Sequence, residues 1–261
     1  MVGWLTRSGL RPGRGEIPSG PVNGSSHKQT HRGAGPKDER LFGASAWPTL
    51  QTAVSDLCWL LNRRYAVRSA VELVGNRYTL VRRQRLAVMR CSCSDEAAAR
   101  RQQHEVQPEQ VRGRELWLDG YNVLTILESA LAGGFILIGR DGCCRDVLGV
   151  HRRYRKVEET LPALQLIGEM TAAWGVSTVG WCLDKPVSNS GRLKAVLLEV
   201  AAAAAWNWRV ELVFNADREL AGTEQIVATS DAAILDRCQR WINIARLVIE
   251  HRVSEARLIK L

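Results

Sequence analysis

Hydrophobic positions follow two different periods along this chain, and the change falls near residue 110. Leu50, Val54, Leu57 and Leu61 are spaced three and four apart, and Ala70, Leu73 and Val74 repeat that spacing, which puts each set on one face of a helix. The Gly75-Asn76 pair predicts a turn. After it, residues 80–90 mix cations with Leu86, Val88 and Met89, the pattern of a short amphipathic helix with a basic face. Residues 37–104 therefore read as a small all-helical domain. Arg100, Arg101, Gln102, Gln103 and Pro108 lie in a segment, 97–113, with little to bury, so a linker is expected there, placed at 105–113.

From residue 114 onward short apolar runs alternate with longer helical patterns. Strands are predicted near 115–118, 135–138, 178–183, 210–214, 225–229 and 241–244, and helices near 121–132, 155–174, 190–206 and 231–239. Such alternation predicts an α/β fold, a mostly parallel sheet flanked by helices, occupying 114–261. The run at 135–138 is the weakest strand, because Gly133-Gly134 and Gly139 also suit a long loop. Three of the runs stop on an aspartate: Leu116-Trp117-Leu118 on Asp119, Trp181-Cys182-Leu183 on Asp184, and Ile226-Val227-Ala228-Thr229-Ser230 on Asp231. Upstream, residues 1–36 are rich in Gly, Ser, Pro and Arg with no apolar period, as in a disordered basic tail.

At 261 residues and 46% hydrophobic content, the chain can bury a substantial core. The formal net charge is +9, and residues 1–110 hold most of the excess, with 17 Lys+Arg against 9 Asp+Glu. A basic module joined to a nearly neutral one suits a polyanion such as nucleic acid, although a solvated surface accounts for the charge equally well. The seven cysteines form an odd set with no signal peptide ahead of them, which favours a reducing, cytoplasmic setting. Cys91-Ser92-Cys93 and Cys143-Cys144 lack the histidines or second C-x-x-C of a structural zinc site. No apolar run approaches the length of a membrane span. Walker-type phosphate loops, G-x-G-x-x-G, G-x-S-x-G and H-E-x-x-H are all missing.

Parallel strands that end on carboxylates bring those carboxylates to one rim, where α/β sheets hold their ligands. In Asp119-Gly120-Tyr121-Asn122, the acid can bind a hard cation, Gly120 permits a sharp turn, and Asn122 can cap a helix or orient a water. Asp184 is followed by Ser188, Asn189, Ser190, Arg192 and Lys194, whose hydroxyls, amides and cations at a helix start suit a phosphate cradle, although ordinary capping explains Ser190 equally well. Asp236 lies five residues beyond Asp231. Taken singly, the Asp119 turn and Asp231 also read as helix caps. Together, mutually repelling carboxylates fit a Mg²⁺ or Mn²⁺ site better than a structural network. His151-Arg152-Arg153-Tyr154-Arg155-Lys156 is the densest basic run of the second domain, with a tyrosine able to stack on an unpaired base, or else a solvated helix start. Trp206 and Trp208 read as core.

Asp119-Gly120-Tyr121-Asn122, Leu183-Asp184, and Thr229-Ser230-Asp231 with Asp236 resemble the acidic motifs of PIN-like and NYN-type ribonucleases. Residues 37–250 resemble an uncharacterised prokaryotic family that joins an N-terminal domain of unknown function to a PIN-like C-terminal domain. The stretches carrying that likeness include Lys37-Asp38-Glu39-Arg40-Leu41-Phe42, Arg83-Gln84-Arg85, Arg90-Cys91-Ser92-Cys93-Ser94-Asp95-Glu96 and Tyr154-Arg155-Lys156-Val157-Glu158-Glu159-Thr160. The resemblance implies a Mg²⁺- or Mn²⁺-dependent endoribonuclease with Asp119, Asp184, Asp231 and Asp236 as direct or water-mediated ligands. It also implies a further acid from an intervening helix, assigned to Glu158 with Asp141 as the substitute. RNA is then the expected partner. A catalytically inactive nucleic-acid-binding or regulatory module on the same fold is the alternative, and a phosphohydrolase is a third reading. For the helical domain, substrate recruitment and a structural cap over the rim are both open.

Overall fold

The computed structural model describes residues 31–147 and 154–261. Most of the expected basic tail, along with His151, Arg152 and Arg153, lies outside the described residues.

The N-terminal unit is helical, as expected: α1 (Asp38–Phe42), α2 (Trp47–Asn62), α3 (Val67–Arg77), α4 (Arg82–Cys91) and α5 (Asp95–His104). Leu50, Val54 and Leu57 are buried on one side of α2, the face their spacing predicts. Two expectations change. Helix α3 runs through Gly75-Asn76, and the chain turns instead at Thr79, whose φ is 50°. Gly75 serves packing, since a Cβ there would stand 2.6 Å from the Arg85 guanidinium that lies against it. Helix α5 also occupies part of the segment read as linker, begun by Ser94 Oγ accepting from Ala97 N–H. The connecting chain after it is held in place, with Glu105 bridged to Trp241 and Val106 N–H donating to Trp241 O at 2.8 Å.

The C-terminal unit continues with β1 (Glu115–Asp119), α6 (Gly120–Leu131), β2 (Phe135–Ile138), β3 (Cys144–Asp146), α7 (Thr160–Ala173), β4 (Thr178–Asp184) and α8 (Ser190–Ala203). It ends with β5 (Trp208–Val213), α9 (Ala216–Gly222), β6 (Ile226–Ala228), α10 (Ala232–Leu235), β7 (Trp241–Ile242), α11 (Ile244–Arg252) and β8 (Arg257–Lys260). Five of these strands form an all-parallel sheet in the order β5-β4-β1-β6-β7. Alternate residues face opposite layers: Leu116, Leu118, Trp181 and Leu183 enter one core, while Cys182, Val227 and partly buried Trp117 enter the other, beneath α9 and α10. Burial on both faces explains why β4 and β6 are apolar almost without interruption, whereas the edge strand β5 alternates, exposing Arg209 and Glu211.

The run at 135–138 is a strand, but of a second sheet, ordered β3-β2-β8. Phe135, Leu137, Val147 and Ile259 from this small sheet share a core with Phe42, Leu50 and Leu57, so it is the seat on which the helical unit packs. The helix expected at 155–174 starts only at Thr160. Tyr154, expected as an exposed stacking residue, is buried; its hydroxyl donates to Glu128, which Thr160 Oγ1 also contacts at 2.6 Å. Trp208 is buried and stacks on partly buried Trp206 at 5.2 Å, as their spacing predicts.

Candidate functional site

In the five-stranded sheet the chain leaves β1 toward β4 and β5 on one side and later returns to β6 and β7 on the other. Strand β1 is therefore the switch point, beyond whose carboxyl end a doubly wound sheet opens a crevice. Asp119 closes that strand. It pairs in register with Cys182, so Asp184 lies two residues further out on β4, roughly 8 Å from Asp119 between Cα atoms from strand rise and spacing. Leu118 pairs with Ala228, which places Asp231 two residues beyond the level of Asp119 on the opposite side. The first three acids thus flank one point.

Local hydrogen bonds hold this rim in place. Thr229 Oγ1 donates to Asp119 Oδ2 at 2.8 Å, and Asn122 Oδ1 accepts the Ser230 N–H at 2.8 Å, tying the start of α6 to the end of β6. Asp231 Oδ1 accepts from Ala233 N–H at 2.7 Å, so its expected capping role is real. Asp184 Oδ1 accepts from Ala216 N–H at 2.9 Å and anchors α9, which brings in Asp217.

Asp119 is electrostatically unlike the other buried acids. Glu128 meets Arg32 at 2.7 Å, Asp146 meets Arg90 at 3.3 Å, Glu159 meets His31 at 2.6 Å, and Asp38 pairs with Arg83. Among the described residues Asp119 has no such cation. Burial pushes its carboxyl up to about 7, with the charges of Asp231 and Asp217 adding to the rise and the hydrogen bonds from Thr229 and Asn122 N–H opposing it. The Asp217 carboxyl is raised by burial and by Asp231 and Asp184, against the pull of Arg237. Beside Asp184, burial and that carboxylate push the Tyr121 hydroxyl up to about 12, and the hydroxyl has no hydrogen-bond partner among the described residues.

Asp217 is the acid that the sequence reading missed, and Asp236 does not join the set. Arg101 and Arg100 hold Asp236 at 2.8 and 3.2 Å. Arg101 also reaches Asp141 at 2.5 Å, and Asp141 takes two bonds from fully buried Arg145 at 2.7 and 2.6 Å. Burial alone would raise the Asp141 carboxyl, but the guanidiniums of Arg145 and Arg101 outweigh it and hold it low. Glu158 sits before α7 and faces His31 at 3.4 Å. The one available signal for Asp217 was its place four residues past a strand end, the relation that marks the other three more tightly.

Of the residues expected to meet a phosphate, Asn189 adopts φ 71° and donates through Nδ2 to Tyr154 O at 2.9 Å, while Ser190 Oγ donates to Lys185 O at 3.1 Å. Both side chains are thus engaged within the fold. Ser188, Arg192, Arg155 and Lys156 are exposed, and Lys194 is half-buried. A cleft of about 530 Å³ opens between the two units, with Asn122, Ser230 and Asp231 on one wall and Tyr65, Met89 and Ser94 on the other.

Among the described residues no three His, Cys, Asp or Glu side chains stand close enough to clamp one ion directly. The donor chemistry suits instead a hard cation bound through one or two carboxylates and its own waters, as Mg²⁺ commonly is. The uncompensated charge around buried Asp119 is what such an ion would relieve. All seven cysteines are buried and free, and no described helix is long and apolar enough to cross a membrane.

Residues 108–247 match the family described as Domain of unknown function (DUF5616), and residues 49–104 match the one described as Protein of unknown function (DUF434). The two-part organisation expected from the sequence is therefore present. A relative from Methanocaldococcus jannaschii, "Uncharacterized protein MJ0935", is 31% identical over 187 residues, covering 72% of this chain and 89% of the relative. No solved structure matches the chain.

Proposed function

We propose that this chain, which belongs to the family described as Domain of unknown function (DUF5616), is a PIN-like, divalent-cation-dependent nuclease acting on RNA. The observation that carries the reading is Asp119, a buried carboxylate with no cationic partner among the described residues, at the switch point of a parallel sheet with Asp184, Asp231 and Asp217 around it. The other buried acids, Asp38, Glu128, Asp146 and Glu159, are matched with arginine or histidine, and this group is not. When bound, Mg²⁺ or Mn²⁺ supplies Lewis-acid polarisation of a phosphate and makes an attacking water more acidic. Asp119, Asp184, Asp231 and Asp217 would hold the ion, in part through water. Thr229 orients the Asp119 carboxylate, and Asn122 holds the α6 turn against β6.

Asp119→Asn and Asp231→Asn are each expected to lower Mn²⁺-stimulated RNA cleavage by about 100-fold or more, in line with loss of a charge-stabilising group. Equal cleavage by the wild type and both variants would overturn the assignment. The separation of the acids, too wide for a direct three-carboxylate clamp, favours a second reading, a module that binds RNA without cutting it. Its mark would be salt-sensitive RNA binding with no turnover under any divalent ion.

A further inference from the structure

Phe214 is the most exposed large hydrophobic side chain among the described residues, at 80%, and it stands directly beside the acidic rim. A solvent-facing aromatic ring forgoes the burial that favours phenylalanine in a fold. The backbone here is nevertheless well held. Lys185 N–H donates to Val213 O at 2.7 Å, Ala216 N–H donates to Asp184 Oδ1 at 2.9 Å, and Arg218 N–H donates to Asn215 Oδ1 at 2.9 Å. Two of these bonds lock the turn to the end of β4, so one of the rim acids also fixes the place of the ring. Over the ring lies Lys185 Nζ, 5.1 Å from the centroid, and this ammonium forms no ion pair with a described carboxylate.

We infer that Phe214 and Lys185 form a platform for single-stranded RNA, the ring stacking on an unpaired base while the ammonium meets the adjoining phosphate. Every base has a π-face, so the platform is indifferent to sequence, and it excludes duplexes because their bases are already stacked. The cation offers a positive contact to a polyanion approaching the carboxylate rim. The inference rests on the nuclease reading only for the fate of the bound strand, and binding alone can test it.

Fluorescence anisotropy with a labelled eight-nucleotide RNA, full-length protein and EDTA measures affinity without turnover. Phe214→Ala should weaken single-strand binding roughly 5- to 150-fold, the range for loss of one stacked base, and Phe214→Trp should preserve it. Lys185→Ala should lower the slope of log affinity against log salt by about one. Blunt duplex RNA should bind equally to wild type and Phe214→Ala. Because the ring is exposed, the melting temperature of Phe214→Ala reports whether the fold survives. Unchanged single-strand affinity in a folded Phe214→Ala protein overturns the platform, as does an equal loss on duplex. Phe214-dependent binding with no cleavage under Mg²⁺ or Mn²⁺ keeps the platform and defeats the nuclease. Cleavage abolished by Asp119→Asn but with a wild-type KM in Phe214→Ala does the reverse.

Discussion

Replacing Asp119 with asparagine should stabilise the protein above neutral pH. Its carboxyl is raised from 3.8 to about 7, first by burial and then by Asp231 and Asp217. A carboxyl raised by folding binds more protons in the native than in the unfolded chain between those values, so stability falls as pH climbs from about 4 through 7. The cost of holding the charged form is at most about 4 kcal/mol at pH 8, from the two pKa values and 1.36 kcal/mol per pH unit. Asparagine keeps the shape and an acceptor for Thr229 Oγ1, and it carries no charge. The Asp119→Asn protein should therefore melt on the order of 5–10 °C above the wild type at pH 8, with the difference gone at pH 4. Scanning calorimetry across that range reads it directly. Adding Mg²⁺ at pH 8 should raise the wild-type melting temperature and move the variant less, because the charge that attracts the ion has been reduced. A variant no more stable than wild type at pH 8, or one whose advantage is the same at pH 4, would refute the electrostatic argument.

Two further substitutions probe the supporting structure. Asp141→Asn leaves buried Arg145 without its paired charge and should cost about 3–5 kcal/mol in urea unfolding, where a loss under about 1 kcal/mol would contradict the importance of that network. Gly168→Ala puts a Cβ 2.0 Å from the Trp206 ring, so α7 or the Trp206–Trp208 stack must shift; a net loss of about 1–3 kcal/mol with altered near-ultraviolet dichroism is expected, and an unchanged spectrum counts against the contact.

The chain's own pattern determined much of this. Spacing by threes and fours at Leu50, Val54 and Leu57 set which side of α2 is buried, and the unbroken apolar runs ending at Asp119 and Asp184 marked strands covered on both faces. Both follow from local geometry, which a short stretch of residues carries within itself. Where a strand belongs is not local. Phe135–Ile138 pairs with Arg257–Lys260 from the far end of the chain, and that pairing created the second sheet on which the helical unit sits. Electrostatic partnership is equally remote. Asp236 and Asp217 look alike as surface aspartates, yet Arg101, 135 residues upstream, neutralises the first, while the fold of α9 turns the second toward the rim. Tyr154 likewise looks exposed in a basic run until Glu128 supplies its buried acceptor. Periodicity can decide which side of an element is apolar, but only the assembled fold decides which charges are left without a partner, because neutralisation depends on distance in space.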